Sequence, residues 1–120
     1  MERFMEESEL RKQAFQFAKH VVLTCRWMRK NGVEYSLADQ FLRCGTSVGA
    51  NIHEAQHAHG LKDFSSKLEI ALKESNECKY WIKLLFSTDS IRKPTYDALM
   101  DECSSVQRML VASLNTIKNK

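Results

Sequence analysis

Apolar and small residues recur in alternating steps of four and three along four separate segments of the chain. The four series run from Leu10 to Met28, from Leu37 to Val48, from Phe64 to Leu85 and from Leu99 to Ile117. Such spacing places the apolar side chains on one face of an α-helix and is typical of helices that pack lengthwise against each other. No segment alternates apolar and polar residues with the period of two expected of a half-buried strand. The pattern therefore predicts four amphipathic helices and an all-α protein.

Helix-breaking residues separate the four series and set the order of the helices. Gly32 can end helix 1 in a left-handed cap, Gly60 separates helices 2 and 3, and Pro94 suits the first turn of helix 4. Ser36, followed three residues later by Asp39, resembles a capping box that opens helix 2. Connections this short force each helix to run antiparallel to the one before it. We therefore expect an up-down antiparallel four-helix bundle.

The 120 residues are expected to form one domain, residues 1–120, because a chain of this length closes around a single hydrophobic core. No apolar run approaches the roughly 20 residues that cross a bilayer, and the charged N-terminal stretch is unlike a signal peptide. We therefore expect a cytoplasmic protein with no membrane partner. The four cysteines include no CxxC pair, which favours free thiols over a disulfide framework.

Helix 2 carries a second stripe of small and apolar residues beside its core seam. The stripe consists of Leu42, Gly45, Gly49 and Ile52. Its two glycines leave a groove into which another backbone can fit closely, and each costs about 1 kcal/mol of helix propensity relative to alanine. The groove either seats helix 1 or helix 4 of the same chain or forms a contact between subunits. Both alternatives are open, and we take the stripe as the candidate oligomer interface.

A polar stripe flanks the apolar seam of helix 2. It consists of Arg43, Ser47 and Asn51 with Glu54 beside them, and folding helix 3 back on helix 2 brings Glu77 opposite Arg43. We expect an interhelical ion pair between Arg43 and Glu77, with hydrogen bonds from the neighbouring polar side chains, because unpaired buried polar groups are costly. A catalytic role is the less favoured interpretation, because no set of nucleophile, base and orienting group is visible.

The segment HEAQH fits the zinc-protease pattern HExxH, with His53 and His57 as ligands and Glu54 as general base. Gly60 and Asp63 extend the match toward the metzincin signature, with Asp in place of the third histidine. Such enzymes build their cleft on a sheet that lies mostly before the motif, whereas the 52 residues before His53 have helical patterns. A zinc metallohydrolase is therefore a remote alternative. We predict no cofactor and no metal site, with adventitious Zn²⁺ or Ni²⁺ on the two histidines at most.

The antiparallel register places the four cysteines near one level of the bundle. They are Cys25, Cys44, Cys78 and Cys103. Folding helix 3 back about Gly60 brings Cys44 close to Cys78. Four thiols in one layer could hold Zn²⁺ tetrahedrally, but free cysteine is among the residue types most often buried in cores. We favour ordinary core packing.

The formal charge of +3 only weakly favours a polyanionic partner, since dedicated nucleic-acid binders are usually much more basic. The excess of basic residues lies at the two ends of the sequence, in helices 1 and 4. The candidate nucleic-acid contacts are Arg92, Lys93, Arg108, Lys118 and Lys120. On spacing alone, a solvated surface is the commoner interpretation of such charges.

Residues 43–85 carry a distinctive pattern, in which TSVGANI-EA is followed by DF--KL-IALKES-E--YW. In this segment the chain resembles the four-helix bundle proteins encoded in intervening sequences of bacterial large-subunit ribosomal RNA genes. The outer helices match more loosely, through F-FA--VV and L--E---V-RML--S, so that the resemblance covers nearly the whole length. The chain departs from the family pattern at Leu42, where an arginine is common, and at Gly49, where a proline is common.

The resemblance implies an up-down bundle that assembles as a homopentamer around a central channel, without known catalytic activity. It also implies kinship with the accessory proteins of diversity-generating retroelements, which associate with reverse transcriptase and nucleic acid. Five copies of a +3 chain would together carry about +15, a stronger field than that of one copy. We therefore predict a non-enzymatic homo-oligomer that binds RNA or DNA through basic surfaces. The alternative is a protein-binding scaffold or an accessory subunit of a reverse transcriptase.

Overall fold

The computed structural model describes the backbone of residues 2–119 and the side chains of residues 9–119. Its four helices are α1 (Glu2–Lys30), α2 (Tyr35–Ala55), α3 (Leu61–Ser87) and α4 (Lys93–Lys118), and the described residues contain no strand. Consecutive helices pack against each other, α4 also packs against α1, and α1 lies diagonally across the bundle from α3. The prediction of an all-α four-helix bundle is confirmed.

The predicted apolar seams form the core of the bundle. The largest fully buried side chains come from all four helices and include Phe17, Phe41, Leu68, Ile82, Leu99 and Leu110. Burying a side chain of this size stabilises the folded chain by about 1.5–3 kcal/mol. Two seam residues near helix ends, Leu37 and Ile117, are only partly buried. The repeat of four and three residues therefore identified the face that each helix turns inward.

The connection between α1 and α2 follows the sequence prediction at its glycine. Gly32 has a φ of 81°, the left-handed conformation that glycine adopts without steric cost. The backbone N–H of Val33 donates to the carbonyl of Met28 at 3.0 Å, which closes the end of α1. Pro94 lies in the first turn of α4, as predicted.

The predicted capping box at the start of α2 is wrong. The helix begins at Tyr35, and its N-cap is Glu34, whose side chain makes no capping hydrogen bond. The backbone N–H of Ala38 already donates to the carbonyl of Glu34 at 3.2 Å. Ser36 therefore lies inside the first turn, where its side chain cannot serve as the cap with Asp39 as its partner.

The glycine stripe of α2 faces α1 of the same chain, which corrects its assignment as an oligomer interface. A Cβ atom on Gly45 would lie 2.7 Å from the Val21 side chain, and one on Gly49 would lie 3.5 Å from a carbonyl oxygen of α1. Ile52 is buried in the core, and Leu42 packs partly buried against it. The stripe thus has its partner within the chain, the other alternative that the sequence left open. Assembly stays a prediction, and it needs other surfaces.

The predicted ion pair between Arg43 and Glu77 is also wrong. Arg43 Nη2 donates instead to Gln40 Oε1 at 3.0 Å, and Glu77 Oε2 accepts from Trp81 Nε1 at 3.2 Å. Both members of the expected pair are exposed. The axial register was correct, but the side chains of consecutive helical residues point about 100° apart. Arg43 consequently points away from the core that its neighbour Cys44 enters.

Two other members of the polar stripe, Ser47 and Asn51, form hydrogen bonds within α2. The Ser47 hydroxyl donates to the carbonyl of Arg43 at 2.7 Å, and Asn51 Nδ2 donates to the carbonyl of Ser47 at 2.8 Å. Glu54 is exposed. The Ser47 and Asn51 side chains bond one turn back along their own helix, so the expected polar cluster between α2 and α3 is not assembled.

Candidate nucleic-acid interface

The predicted nucleic-acid contacts on α4 do not form a single surface. Arg92 and Lys93 lie at the start of this helix and Lys118 at its end, about 39 Å away at 1.5 Å per residue. Lys93 is paired with Asp97, at 2.9 Å between Nζ and Oδ2. Arg108 lies between the two ends, and Lys120 lies outside the described residues. A nucleic-acid interface on α4 alone would therefore consist of isolated charges.

Helix α1 carries a denser set of basic residues, which the sequence reasoning missed. Between residues 10 and 33 the sequence contains six lysines or arginines and no aspartate or glutamate. We call these six residues the α1 basic face: Arg11, Lys12, Lys19, Arg26, Arg29 and Lys30. Arg11 is partly buried and the other five are exposed. None of the six forms an ion pair with a carboxylate among the side chains that the structure describes.

The core packing of α1 determines where these charges point. The buried residues of this helix occupy one side, because they follow the seam of four and three. The six basic residues occupy the other positions around the helix and extend for about 29 Å along its axis. Duplex nucleic acid presents one phosphate about every 3.4 Å along each strand. The α1 basic face is therefore long enough to follow about eight phosphates of a strand.

Exposed apolar side chains lie among the basic residues of α1. Phe15 is 68% exposed, Leu23 52% and Trp27 37%. The guanidinium of Arg92 lies 5.5 Å from the centre of the Trp27 ring, and that of Arg29 lies 5.0 Å from the Tyr35 ring. Of the nucleic-acid contacts predicted from the sequence, Arg92 is therefore one that lies against α1. Cations interleaved with aromatic rings are typical of surfaces that bind single-stranded nucleic acid.

The Glu102 carboxylate of α4 lies beside the α1 basic face, where it contacts His20. The ring Nδ1 of His20 lies 3.0 Å from Glu102 Oε2, and both residues are partly exposed. Ser105 Oγ donates to Gln13 Oε1 at 2.7 Å, so the contact of α1 with α4 contains a second polar link. These links hold the basic side of α1 outward, because they fix the side of the helix that meets α4.

A count over a shorter window would have revealed the α1 basic face in the sequence. Residues 1–35 contain seven basic and five acidic residues, which suggests only a small excess. Four of the five acids lie before residue 10, and the fifth, Glu34, follows the helix. A charge count over residues 1–35 therefore combines acidic residues at both ends with a centre whose charged residues are all basic.

The HEAQH segment does not form a zinc site in the described part of the chain. Helix α2 ends at Ala55, so that His57 lies in the turn beyond it. The rings of His53 and His57 are 5.6 Å apart in an edge-to-face arrangement, and both residues are exposed. Asp63 Oδ2 accepts a hydrogen bond from the backbone N–H of His59 at 3.2 Å. No three His, Cys, Asp or Glu side chains between residues 9 and 119 are grouped as metal ligands.

The cysteines form part of the core at one level of the bundle. Cys78 Sγ donates to Cys44 Sγ at 3.2 Å, which confirms the register expected from folding α3 back on α2. Cys103 Sγ donates to the carbonyl of Ser75 at 3.3 Å. Hydrogen bonds with Cys103 and Cys44, together with burial, hold the pKa of Cys78 well above its ordinary value. Burial raises the pKa of Cys25 to about 11. Thiols with raised pKa values are poor nucleophiles, because the thiolate is the reactive form.

Within the described residues, none of the four helices is both long enough and apolar enough to span a membrane.

The sequence matches the protein family described as 23S rRNA-intervening sequence protein over residues 6–112. The fold of this chain is similar to that of a protein with unknown function from the S23 ribosomal protein family of Bacteroides thetaiotaomicron VPI-5482, whose crystal structure has a resolution of 1.70 Å. The two chains share 33% sequence identity with a TM-score of 0.89, over 92% of this chain and 98% of the other. The search for related curated proteins gave no match.

Proposed function

The chain belongs to the 23S rRNA-intervening sequence protein family, as its central motif suggested, and from this premise we propose that it is a non-enzymatic protein that binds RNA or DNA through the α1 basic face. The observation that carries the proposal is the run of six exposed or partly exposed cations on one helix with no acid among them. A net charge of +3 for the whole chain conceals this concentration of positive charge.

Phosphate contacts are the interaction that this surface supports best. Lysine and arginine neutralise phosphates and release their counterions, so that affinity falls steeply as salt rises. Contacts to phosphate fix the position of a protein on the strand but carry no sequence information. We therefore expect binding with little preference for sequence.

We further propose that the protein works as a homo-oligomer, with a pentamer as the state implied by the family resemblance. Assembly multiplies the number of α1 basic faces in one particle, and linked weak sites bind one polymer more tightly than separate sites do. Light scattering should then give a mass of about 70 kDa, five times the 13.9 kDa of one chain. A mass of one chain at micromolar concentration would contradict this part of the proposal.

Binding is tested by fluorescence anisotropy with a labelled RNA and a labelled DNA of mixed sequence, between about 50 and 300 mM salt. If about six contacts form, log K should fall with log salt with a slope of about −4 for single strands. An assembled protein that binds neither probe at about 50 mM salt would refute the proposal. A protein partner, such as a reverse transcriptase, that stays bound after nuclease treatment would favour the alternative of a protein-binding accessory subunit.

A further inference from the structure

A cleft of about 610 Å³ opens between α1 and α2 beside the first two residues of the α1 basic face. We call it the Phe15 cleft. The residues that line it include Arg11, Lys12, Phe15, Thr46, Gly49 and His53. Its volume lies within the range of about 300–1,000 Å³ that is usual for sites of small ligands. The cleft is therefore large enough for one nucleotide.

The ionisable side chains that line the Phe15 cleft are basic, among the residues whose side chains the structure describes. They are Arg11, Lys12 and His53, and no aspartate or glutamate between residues 9 and 119 lines the cleft. The Nε atom of Arg11 is shielded from solvent, and it has no hydrogen-bond partner among the described residues. A buried donor without an acceptor is unfavourable. An anionic oxygen placed in the cleft would satisfy this donor and form a charge-assisted hydrogen bond.

An aromatic ring stands beside these bases with most of its surface exposed. Phe15 is 68% exposed, although it is a large apolar side chain. The opposite wall is built from small residues of α2, since Gly49 and Ala50 line the cleft there. The cleft thus combines an open ring face, a narrow apolar wall and cations at one end. Nucleobases stack on such rings, and every base has a face that can do so.

We propose that the Phe15 cleft seats one unstacked nucleotide of a single-stranded nucleic acid, with its base against Phe15 and its phosphate at Arg11 and Lys12. This inference rests on the proposed function, and it specifies that the nucleic acid is single-stranded. A duplex can supply such a base only by flipping it out of the stack, which costs free energy. The protein should therefore bind a single strand more tightly than a duplex of the same length.

The test uses a labelled 20-nucleotide RNA without self-complementarity, free and annealed to its complement, with the full-length protein. Phe15→Ala should weaken binding of the single strand about 10-fold and binding of the duplex less than twofold. It should leave the salt slope unchanged, because stacking releases no counterions. Phe15→Trp should retain the affinity, and the added indole should be quenched when RNA binds. Tyr80→Ala is the matched control, since this ring on α3 is 61% exposed and should leave both affinities unchanged.

The outcomes separate this inference from the proposed function. If single strand and duplex bind equally and Phe15→Ala changes neither, while loss of charge on α1 weakens both, the nucleotide site is refuted and the proposed function stands. If the wild-type protein binds neither probe, the proposed function itself fails. Light scattering on Phe15→Ala provides a further check. A change in its mass would assign the ring to a contact between subunits and overturn the nucleotide site.

Discussion

Removing three charges from the middle of the α1 basic face should weaken nucleic-acid binding far more than removing three charges elsewhere. The variant combines Lys12→Gln, Lys19→Gln and Arg26→Gln. All three side chains are exposed, and none forms an ion pair with a described carboxylate. Glutamine preserves most of the side-chain length and the helix propensity. The fold should therefore be unaffected, and thermal unfolding of the variant should match that of the wild type.

The size of the effect follows from the number of phosphates that the lost charges would contact. Each contact to a single strand contributes about 0.7 to the slope of log K against log salt. Three lost contacts should therefore reduce the slope by about 2, from about −4 to about −2. If the electrostatic contribution vanishes near 1 M salt, the affinity at about 0.1 M should fall about 100-fold, or about 3 kcal/mol. Anisotropy titrations at four or five salt concentrations measure both quantities.

A second variant with the same change in net charge provides the control. It combines Lys62→Gln, Lys73→Gln and Lys83→Gln on α3, the helix diagonally opposite α1. These three lysines are also exposed. We expect the control to lose less than about threefold in affinity, because its charges lie across the bundle and beyond a Debye length of about 10 Å. Equal losses in the two variants would show that net charge, rather than the α1 basic face, governs binding, and the proposed interface would be refuted.

Three further predictions concern the stability of the bundle. Gly45→Ala should destabilise it by about 1–2 kcal/mol, because the new methyl meets Val21 at 2.7 Å, whereas Gly49→Ala should be neutral or stabilising by up to about 1 kcal/mol; urea denaturation of the pair measures both, and equal effects would contradict the packing described. Glu77→Ala should change the free energy of unfolding by less than about 1 kcal/mol, since the Glu77 carboxylate is exposed and accepts a hydrogen bond from the Trp81 indole of its own helix; a larger loss in the same assay would point to a buried pair. Burial raises the pKa of Cys25 from 9.0 to about 11, so the stability that the neutral thiol contributes should be lost as pH rises from about 9 through about 11. Cys25→Ser should flatten this loss in thermal unfolding between pH 8 and 10.5, and identical curves for variant and wild type would count against it.

The fold could be predicted because it depends on a property that repeats along the sequence. The helical period of apolar residues fixes which face is buried, and short connections fix the antiparallel order. The contact of Cys44 with Cys78 shows that even the axial register of α2 and α3 follows from the position of Gly60. Such inferences need no knowledge of individual side-chain contacts.

The polar contacts could not be predicted in the same way, because they depend on the angle of each side chain around its helix. Arg43 and Glu77 lie at the same level of the bundle but point outward, and each finds a partner on its own helix. The glycine stripe posed a similar problem, since a groove in a sequence does not reveal which helix occupies it. Val21 on α1 occupies the notch at Gly45.

The candidate interface was missed for a different reason. Its basic residues are visible in the sequence over residues 10–33, but the charges were counted over the longer range 1–35. The basic centre of α1 is flanked by acids that belong to its first turns and to the following connection. Only the structure shows that the central charges lie together on the outer side of one helix. Counting charges within predicted helices, away from their ends, would have identified the same residues.

Lysine footprinting in the presence of RNA tests the central claim most directly. The protein is acetylated with a limiting amount of reagent, with and without a saturating single-stranded RNA at about 50 mM salt, and each lysine is quantified by mass spectrometry. Lys12, Lys19 and Lys30 should be protected by RNA, while Lys62 and Lys73 on α3 should react equally in both samples. Protection confined to the lysines of α3, or equal reactivity of the α1 lysines with RNA demonstrably bound, would contradict the assignment of α1 as the nucleic-acid interface.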